Sequence, residues 1–232
     1  MVEKLKIDLK KEDYENFFKF LLNTNFKENF KTWVDDENGR VNRKFLFKSE
    51  NQWKKVIPIH YHKRLEFLIK KIKQYKTPFP KEKINFLNRI QVIESNFTIN
   101  SKNNDKGKHL FHLHCDRINT YKVYVFFSDI DLKDGPIYFA RIDKCKDQIN
   151  SKLKEIEDKK KQLVDEWRKI DSRIFCKYEE PFMGKFGDVL IFDGREPHRA
   201  SPLTKDGYRA VVIFEFFTDE NWNLYSKAVL KQ

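Results

Sequence analysis

The sequence predicts a mainly β protein, a sandwich or barrel of short strands with helices at its flanks. Three observations carry this. Between residues 89 and 218 six segments rich in β-branched and aromatic residues follow one another. Turn-formers bound most of them: Asp105-Lys106-Gly107, Asp134-Gly135-Pro136, Asp193-Gly194 and Asp206-Gly207. Before residue 89 the periodicity is instead helical.

Taken in order, residues from about 10 to 23 place Tyr14, Phe17, Phe18, Leu21 and Leu22 at helical spacings. A second amphipathic helix is expected over residues 63 to 75, with Leu65, Leu68, Ile69, Ile72 and Tyr75 on one stripe. Asn38-Gly39 marks a turn beside a short strand at Lys44–Lys48, and Pro58, Pro78 and Pro80 punctuate the connections. The strand segments are Arg89–Asn100, Lys108–His114, Tyr121–Ile130, Gly135–Ile142, Gly187–Asp193 and Tyr208–Thr218. One helix interrupts them. From about Lys146 to Asp171 there is no Gly or Pro, and Ile149, Leu153, Ile156, Leu163, Trp167 and Ile170 fall at helical steps. Packing against its own domain is the expected role of that stripe, as a lid or as a supporting flank.

The bulk properties bound the function classes. The chain has 232 residues, enough to bury a sizeable core as one domain, and 22 Phe, 9 Tyr and 4 Trp supply large apolar surfaces. Only 7 Gly and 7 Pro argue against low-complexity disorder. Three cysteines, Cys115, Cys145 and Cys176, stand in no CxxC spacing, so neither a disulfide framework nor a zinc ribbon is expected and a reducing compartment is the default. The first residues contain no apolar leader, and the longest apolar runs, such as Val123–Phe127 and Ala210–Phe214, are strand-sized. The expectation is a soluble, cytoplasmic protein without membrane insertion. With 47 Lys+Arg against 35 Asp+Glu the formal charge is +12, which steers anions without specifying one.

Chemistry concentrates at His112-Leu113-His114-Cys115-Asp116. Strand residues two apart share a face, so His114 with Asp116, or His112 with His114, can grip one ion. A His and a carboxylate completed by a distant His form the facial triad of non-haem Fe(II) oxygenases, which leaves positions open for a co-substrate and dioxygen. His198 is the distant candidate, where the apolar strand of Gly187–Asp193 runs through a turn. Arg209, on the next strand, can clamp a carboxylate bidentately unless it pairs with Asp188 or Asp193. His60-Tyr61-His62 repeats the two-residue spacing without a nearby carboxylate and reads as a surface or loop pair.

The succession of His114-Cys115-Asp116, Tyr121–Asp131, Asp134-Gly135-Pro136-Ile137, Gly187-Asp188, His198 and Arg209 resembles the Fe(II)/2-oxoglutarate-dependent dioxygenases of the phytanoyl-CoA dioxygenase-like superfamily, over about residues 90 to 217. The resemblance implies a double-stranded β-helix, or jelly-roll, as a single dioxygenase domain over residues 1–232. Its parts would be an α-rich flank at 1–88, a core at 89–218 with the helical insertion at about 146–171, and a tail at 219–232. It implies iron held by His114, Asp116 and His198, and the 2-oxoglutarate C5 carboxylate bound by Arg209. Ser201, Asn96 and Thr98 are the candidate hydroxyl or amide contacts to the co-substrate. The implied reaction consumes 2-oxoglutarate and dioxygen, releases succinate and CO2, and hydroxylates an unactivated C–H bond; desaturation, epimerisation and ring formation belong to the same chemistry.

Asp116 disfavours halogenation, since halogenating relatives carry a small residue there, and Glu215 stands where nucleic-acid demethylases of the wider superfamily carry a second arginine. No nucleic-acid partner is therefore expected. The expected substrate is a small or carrier-linked metabolite, anionic if the basic surface and Arg195, Arg199, Arg141 or Lys122 bear on it. Two alternatives stand beside this reading: a catalytically silent basic jelly-roll binding protein, and a cupin-like metalloenzyme that uses His112 and His114 without 2-oxoglutarate.

Overall fold

A computed structural model of the chain describes residues 2–6, 11–23, 33–35, 40–47, 49–74, 84–96, 111–162, 170–204 and 206–230. Two antiparallel sheets face one another as a jelly-roll. The larger has the order β1-β8-β5-β10-β4-β3-β2, built from β1 (Glu3–Lys6), β2 (Trp33–Asp35), β3 (Arg40–Leu46), β4 (Ile84–Asn96), β5 (Thr120–Phe126), β8 (Asp188–Asp193) and β10 (Tyr208–Thr218). The smaller has the order β7-β6-β9, from β6 (Ile137–Ala140), β7 (Glu179–Phe182) and β9 (His198–Arg199). Helices α1 (Lys11–Asn23), α2 (Glu50–Val56) and α3 (Ile59–Gln74) precede the main strands; α4 (Ile142–Gln162) lies between β6 and β7, and α5 (Asp219–Leu230) ends the fold.

Side-chain alternation gives the large sheet two different faces. Val92, Val123, Val125, Val189, Ile191, Val212 and Phe214 turn outward and pack with Phe17, Phe18 and Leu21 of α1, Trp53 of α2, and Tyr61, Leu65, Leu68 and Ile72 of α3. That is the main core, and it explains why the helical stripes are aromatic and aliphatic: each must cover a β surface. The alternate residues, Ile93, Phe126, Leu190, Phe192, Val211 and Ile213, turn inward toward Ile137 and Phe139 of the small sheet. Within this inner layer the register opposes Arg209 to Ser95, Ile213 to Tyr124 and Glu215 to Lys122, so polar side chains are buried inside the barrel.

Several expectations are corrected. Lys108–His114 is not a strand over its described part: residues 108–110 lie outside the described residues, Phe111 is in a 3-10 turn, His112 is in a bend, and His114 forms isolated bridges to Arg173 and His198. The inserted helix begins at Ile142 rather than Lys146, with non-helical angles at Cys145, and Ile170 and Asp171 are no longer helical. Leu163 and Trp167 lie outside the described residues, as do Tyr75, Thr98 and His109. Ile149 and Ile156 of α4 are buried against Leu113, Cys115, Ala140, Cys176 and Ile170, so the described part of the stripe packs on the chain's own core. The cysteine expectation also fails: Cys145 and Cys176 form a disulfide, with Cα atoms 6.1 Å apart, because α4 begins beside the segment that leads back into β7. Spacing alone cannot show a pairing that the return of the chain creates. Among the described residues, no helix is long and apolar enough to cross a membrane.

Candidate metal centre

Local chain geometry brings the three ligand candidates together. Leu113 and Cys115 alternate into the core beneath α4, which turns His114 and Asp116 the other way. The backbone of this segment is fixed on both sides. His114 and His198 exchange amide hydrogen bonds of 3.0 and 2.9 Å, Cys115 N–H donates to Ser172 at 3.1 Å, and Asp116 N–H donates to Gly194 at 2.7 Å. A reciprocal pair of this kind sets directly opposed side chains on one face, and the two imidazole centroids are 4.7 Å apart. One ligand atom each from His114, Asp116 and His198 lie within 4.8 Å of one another.

The second nitrogen of each imidazole is occupied in the same way. Nδ1 of His114 donates to the His112 carbonyl at 2.8 Å, and Nδ1 of His198 donates to the Glu196 carbonyl at 2.8 Å. A carbonyl only accepts, so each Nδ1 carries a proton; in the neutral ring Nε2 then keeps its lone pair, the arrangement expected of a metal-ligating histidine. Burial first, and then the Lys122 ammonium, lower the His198 pKa to about 3, so this imidazole is neutral. Burial alone would push the Asp116 carboxyl up, but the Lys122 ammonium beside it outweighs burial and holds the carboxylate ionised. Thr120 Oγ1 donates to Asp116 Oδ2 at 3.1 Å, and Lys122 Nζ lies 2.8 Å from the same oxygen. Two nitrogen lone pairs and one ionised carboxylate oxygen make a donor set that fits a divalent first-row metal.

One side of the site is lined by aromatic rings. Phe192 lies edge-on to His198 at 5.1 Å and to Phe139 at 5.0 Å, and Tyr124 packs on Phe192 at 5.3 Å. The Tyr124 phenol pKa is raised, first by burial. Cys115 is fully buried on the opposite face, and burial pushes its thiol up to about 12, so it is inert as a nucleophile.

Arg209 Nη1 donates to the Gly135 carbonyl. Gly135 has φ +68°, and a Cβ there would lie 2.6 Å from the Ser201 carbonyl and 3.2 Å from Arg209 Nη1, so this turn requires glycine. The alternative pairings expected for Arg209 are taken up elsewhere: Asp188 binds Lys4 at 2.7 Å, and Asp193 holds Arg195 at 2.7 Å.

Not every co-substrate candidate falls beside Arg209. Ser201 donates its hydroxyl to the Pro136 carbonyl at 2.7 Å, which ties the segment after β9 to the Gly135 turn. Asn96 opposes Tyr208, so it sits on the outer face, is exposed, and is not brought to the guanidinium. Its neighbour Ser95 opposes Arg209 instead, is 4% exposed, and its hydroxyl has no hydrogen-bond partner among the described residues. An orphaned buried hydroxyl across from a guanidinium fits a carboxylate ligand. Ser95 was legible only once the register was known.

The remaining histidines stand apart from the site. His112 is exposed and contributes its carbonyl to the His114 ring. His60 and His62 lie in the first turn of α3 rather than in a loop, and the His62 ring bonds to the Ile57 carbonyl at 2.7 Å. His114, Asp116 and His198 form the one cluster of three potential metal ligands among the described residues.

No family model matches the chain, and no curated protein matches it. Solved structures do. HygX from Streptomyces hygroscopicus, crystallised with nickel and 2-oxoglutarate, superposes with a TM-score of 0.53 at 13% identity, covering 94% of this chain and 83% of HygX. SnoK, a non-haem α-ketoglutarate-dependent carbocyclase from nogalamycin biosynthesis, gives 0.52 at 13% identity, covering 94% of this chain and 79% of SnoK. The chain has the fold of these two proteins.

Proposed function

We propose that the chain is an iron(II)- and 2-oxoglutarate-dependent oxygenase acting on a small molecule. The observation that carries this is the N,N,O donor set, with both Nδ1 atoms tied back to carbonyls so that both Nε2 lone pairs converge with Asp116. His114, Asp116 and His198 would hold the iron, and Arg209 with Ser95 would receive the distal carboxylate of 2-oxoglutarate. When bound, iron with 2-oxoglutarate and dioxygen supplies the oxidising power that cleaves an unactivated C–H bond, with succinate and CO2 as co-products.

The chain's own contributions are positional. The Glu196 and His112 carbonyls orient the imidazoles, Thr120 steadies the carboxylate, and Phe139 and Phe192 keep water from the face they line. Hydroxylation is the outcome we assign, on a small metabolite, within a single domain. The anionic, carrier-linked class suggested by the charge draws no support from the candidate cations. Arg195 pairs with Asp193, Arg199 with Glu179, Arg141 with Asp143 and Glu180, and Lys122 with Asp116.

One observation favours the silent-binder alternative: the Lys122 ammonium already sits on Asp116. The deciding experiment measures succinate formation from 2-oxoglutarate with added Fe(II), together with metal content, in the wild type, Asp116→Ala and Arg209→Ala. The oxygenase reading expects stoichiometric iron and turnover in the wild type. It expects turnover abolished in Asp116→Ala, and the KM for 2-oxoglutarate raised at least tenfold in Arg209→Ala. Absence of both iron uptake and succinate would leave the silent binder, and unchanged activity in Arg209→Ala would remove the keto-acid clamp.

A further inference from the structure

Lys122 lies among the ligand atoms rather than beside them. Its side chain is 9% exposed, and its Nζ is 2.8 Å from Asp116 Oδ2, 3.1 Å from Asp116 Oδ1 and 3.4 Å from His198 Nε2. The ammonium also lies 5.8 Å over the Phe192 ring. Register explains its position: on β5 Lys122 faces inward between Phe192 of β8 and Glu215 of β10. Glu215 is engaged by Arg89, which leaves Asp116 as the carboxylate in direct contact with the ammonium. One chain-borne cation thus covers both oxygens of the one anionic ligand.

We propose that Lys122 is an internal counter-cation of the metal site, which balances the Asp116 charge before a metal arrives and makes metal binding depend on a dianionic keto acid. This rests on the oxygenase reading above. Without a counter-charge the Asp116 carboxylate, 19% exposed, would stand uncompensated in a largely desolvated site. With Lys122 its charge is balanced before a metal arrives. A divalent cation must then displace the ammonium from at least one Asp116 oxygen, and it adds two positive charges beside a lysine with little water to retreat into.

A keto acid carrying two negative charges restores neutrality and gives the displaced ammonium a new acceptor. Metal and keto acid therefore each strengthen the binding of the other, and by linkage the factor is the same in both directions. Removing the lysine charge relieves the repulsion on the metal and takes an acceptor-seeking cation from the keto acid. The metal alone then binds more tightly and the mutual gain shrinks. A merely structural lysine predicts the opposite, because loosening Asp116 weakens metal binding.

The test is calorimetric titration of Mn(II) into the full chain, with and without saturating 2-oxoglutarate, comparing the wild type with Lys122→Met. The expected wild-type result is Mn(II) affinity at least tenfold higher with 2-oxoglutarate. In Lys122→Met, Mn(II) alone is expected to bind at least tenfold more tightly than in the wild type, with a smaller gain from 2-oxoglutarate. Lys122→Gln is the second neutral variant if the methionine protein does not unfold cooperatively. Mn(II) affinity unchanged or lowered in the folded neutral variant overturns the proposal. A wild-type protein that binds no Mn(II) in either condition overturns the oxygenase reading itself, and the counter-cation with it.

Discussion

Gly194 follows the buried Asp193 and sits directly against the metal-site carboxylate, so adding one methyl group there tests the site with little other change. A Cβ on Gly194 would lie 2.1 Å from Asp116 Oδ2, 2.7 Å from Thr120 Oγ1 and 2.9 Å from Asp116 Cγ, where ordinary contact begins near 3.4 Å. The carboxylate must retreat by roughly 1 Å, and it is a side-chain end, so the backbone need not follow. In Gly194→Ala the fold is therefore expected to survive at a cost of about 1–3 kcal/mol, in the range of overpacking. A displacement of that size at a reacting centre costs about a hundredfold in rate, equivalent to ~2.7 kcal/mol of transition-state stabilisation. Metal affinity should fall by about ten- to a hundredfold. The assays are kcat/KM for succinate formation and Mn(II) titration, with thermal unfolding as the control for the fold. Wild-type values for both turnover and metal affinity in a folded Gly194→Ala protein would refute the reasoning, because Asp116 could not then be acting from where it lies here.

Two further expectations follow from the same geometry. Ser95→Ala removes the orphaned hydroxyl opposite Arg209, and the KM for 2-oxoglutarate should rise several-fold with kcat little changed; an unaltered KM would take Ser95 out of the co-substrate pocket. In the metal-free protein, His198 has a folded pKa of about 3 against an ordinary value of 6.5, so the unfolded chain binds its proton first. Stability should therefore fall as pH drops from about 6.5 toward 3. Chemical denaturation across that range should show a shallower slope in His198→Gln, and an identical slope would contradict a buried neutral imidazole.

The pattern of the sequence reached the parts of the fold that repeat. Tyr208–Thr218 was visible because its run of β-branched and aromatic residues is long enough to register, and α3 because period 3.6 persists. β1 and β2 were not, since four and three residues at a sheet margin carry no pattern and take their conformation from β8 and β3. The segment bearing His114 alternates like a strand yet is bridged by single residues of β9 and of the stretch after α4, so local composition overstated it.

At the site, His114, Asp116, His198 and Arg209 were legible as residue types capable of the chemistry. Ser95 was not, because choosing it over Asn96 requires the β4–β10 register, in which a slip of one residue exchanges inside for outside. Lys122 was legible only as one of several cations that could meet an anionic substrate; its burial on Asp116 follows from its place between β8 and β10.

The reciprocal amide bonds between His114 and His198 also bear on folding. The two imidazoles come from opposite sides of β5, β6, α4, β7 and β8, so at this site the unfolded polypeptide retains the weak local chelates of His112, His114 and Asp116 without His198. A divalent ion held there would therefore act as a thermodynamic latch on the native barrel. Each decade by which its free concentration exceeded its dissociation constant would add about 1.4 kcal/mol to the unfolding free energy. Melting temperature against metal concentration becomes a direct readout of how completely the distant halves of the chain have closed on one another.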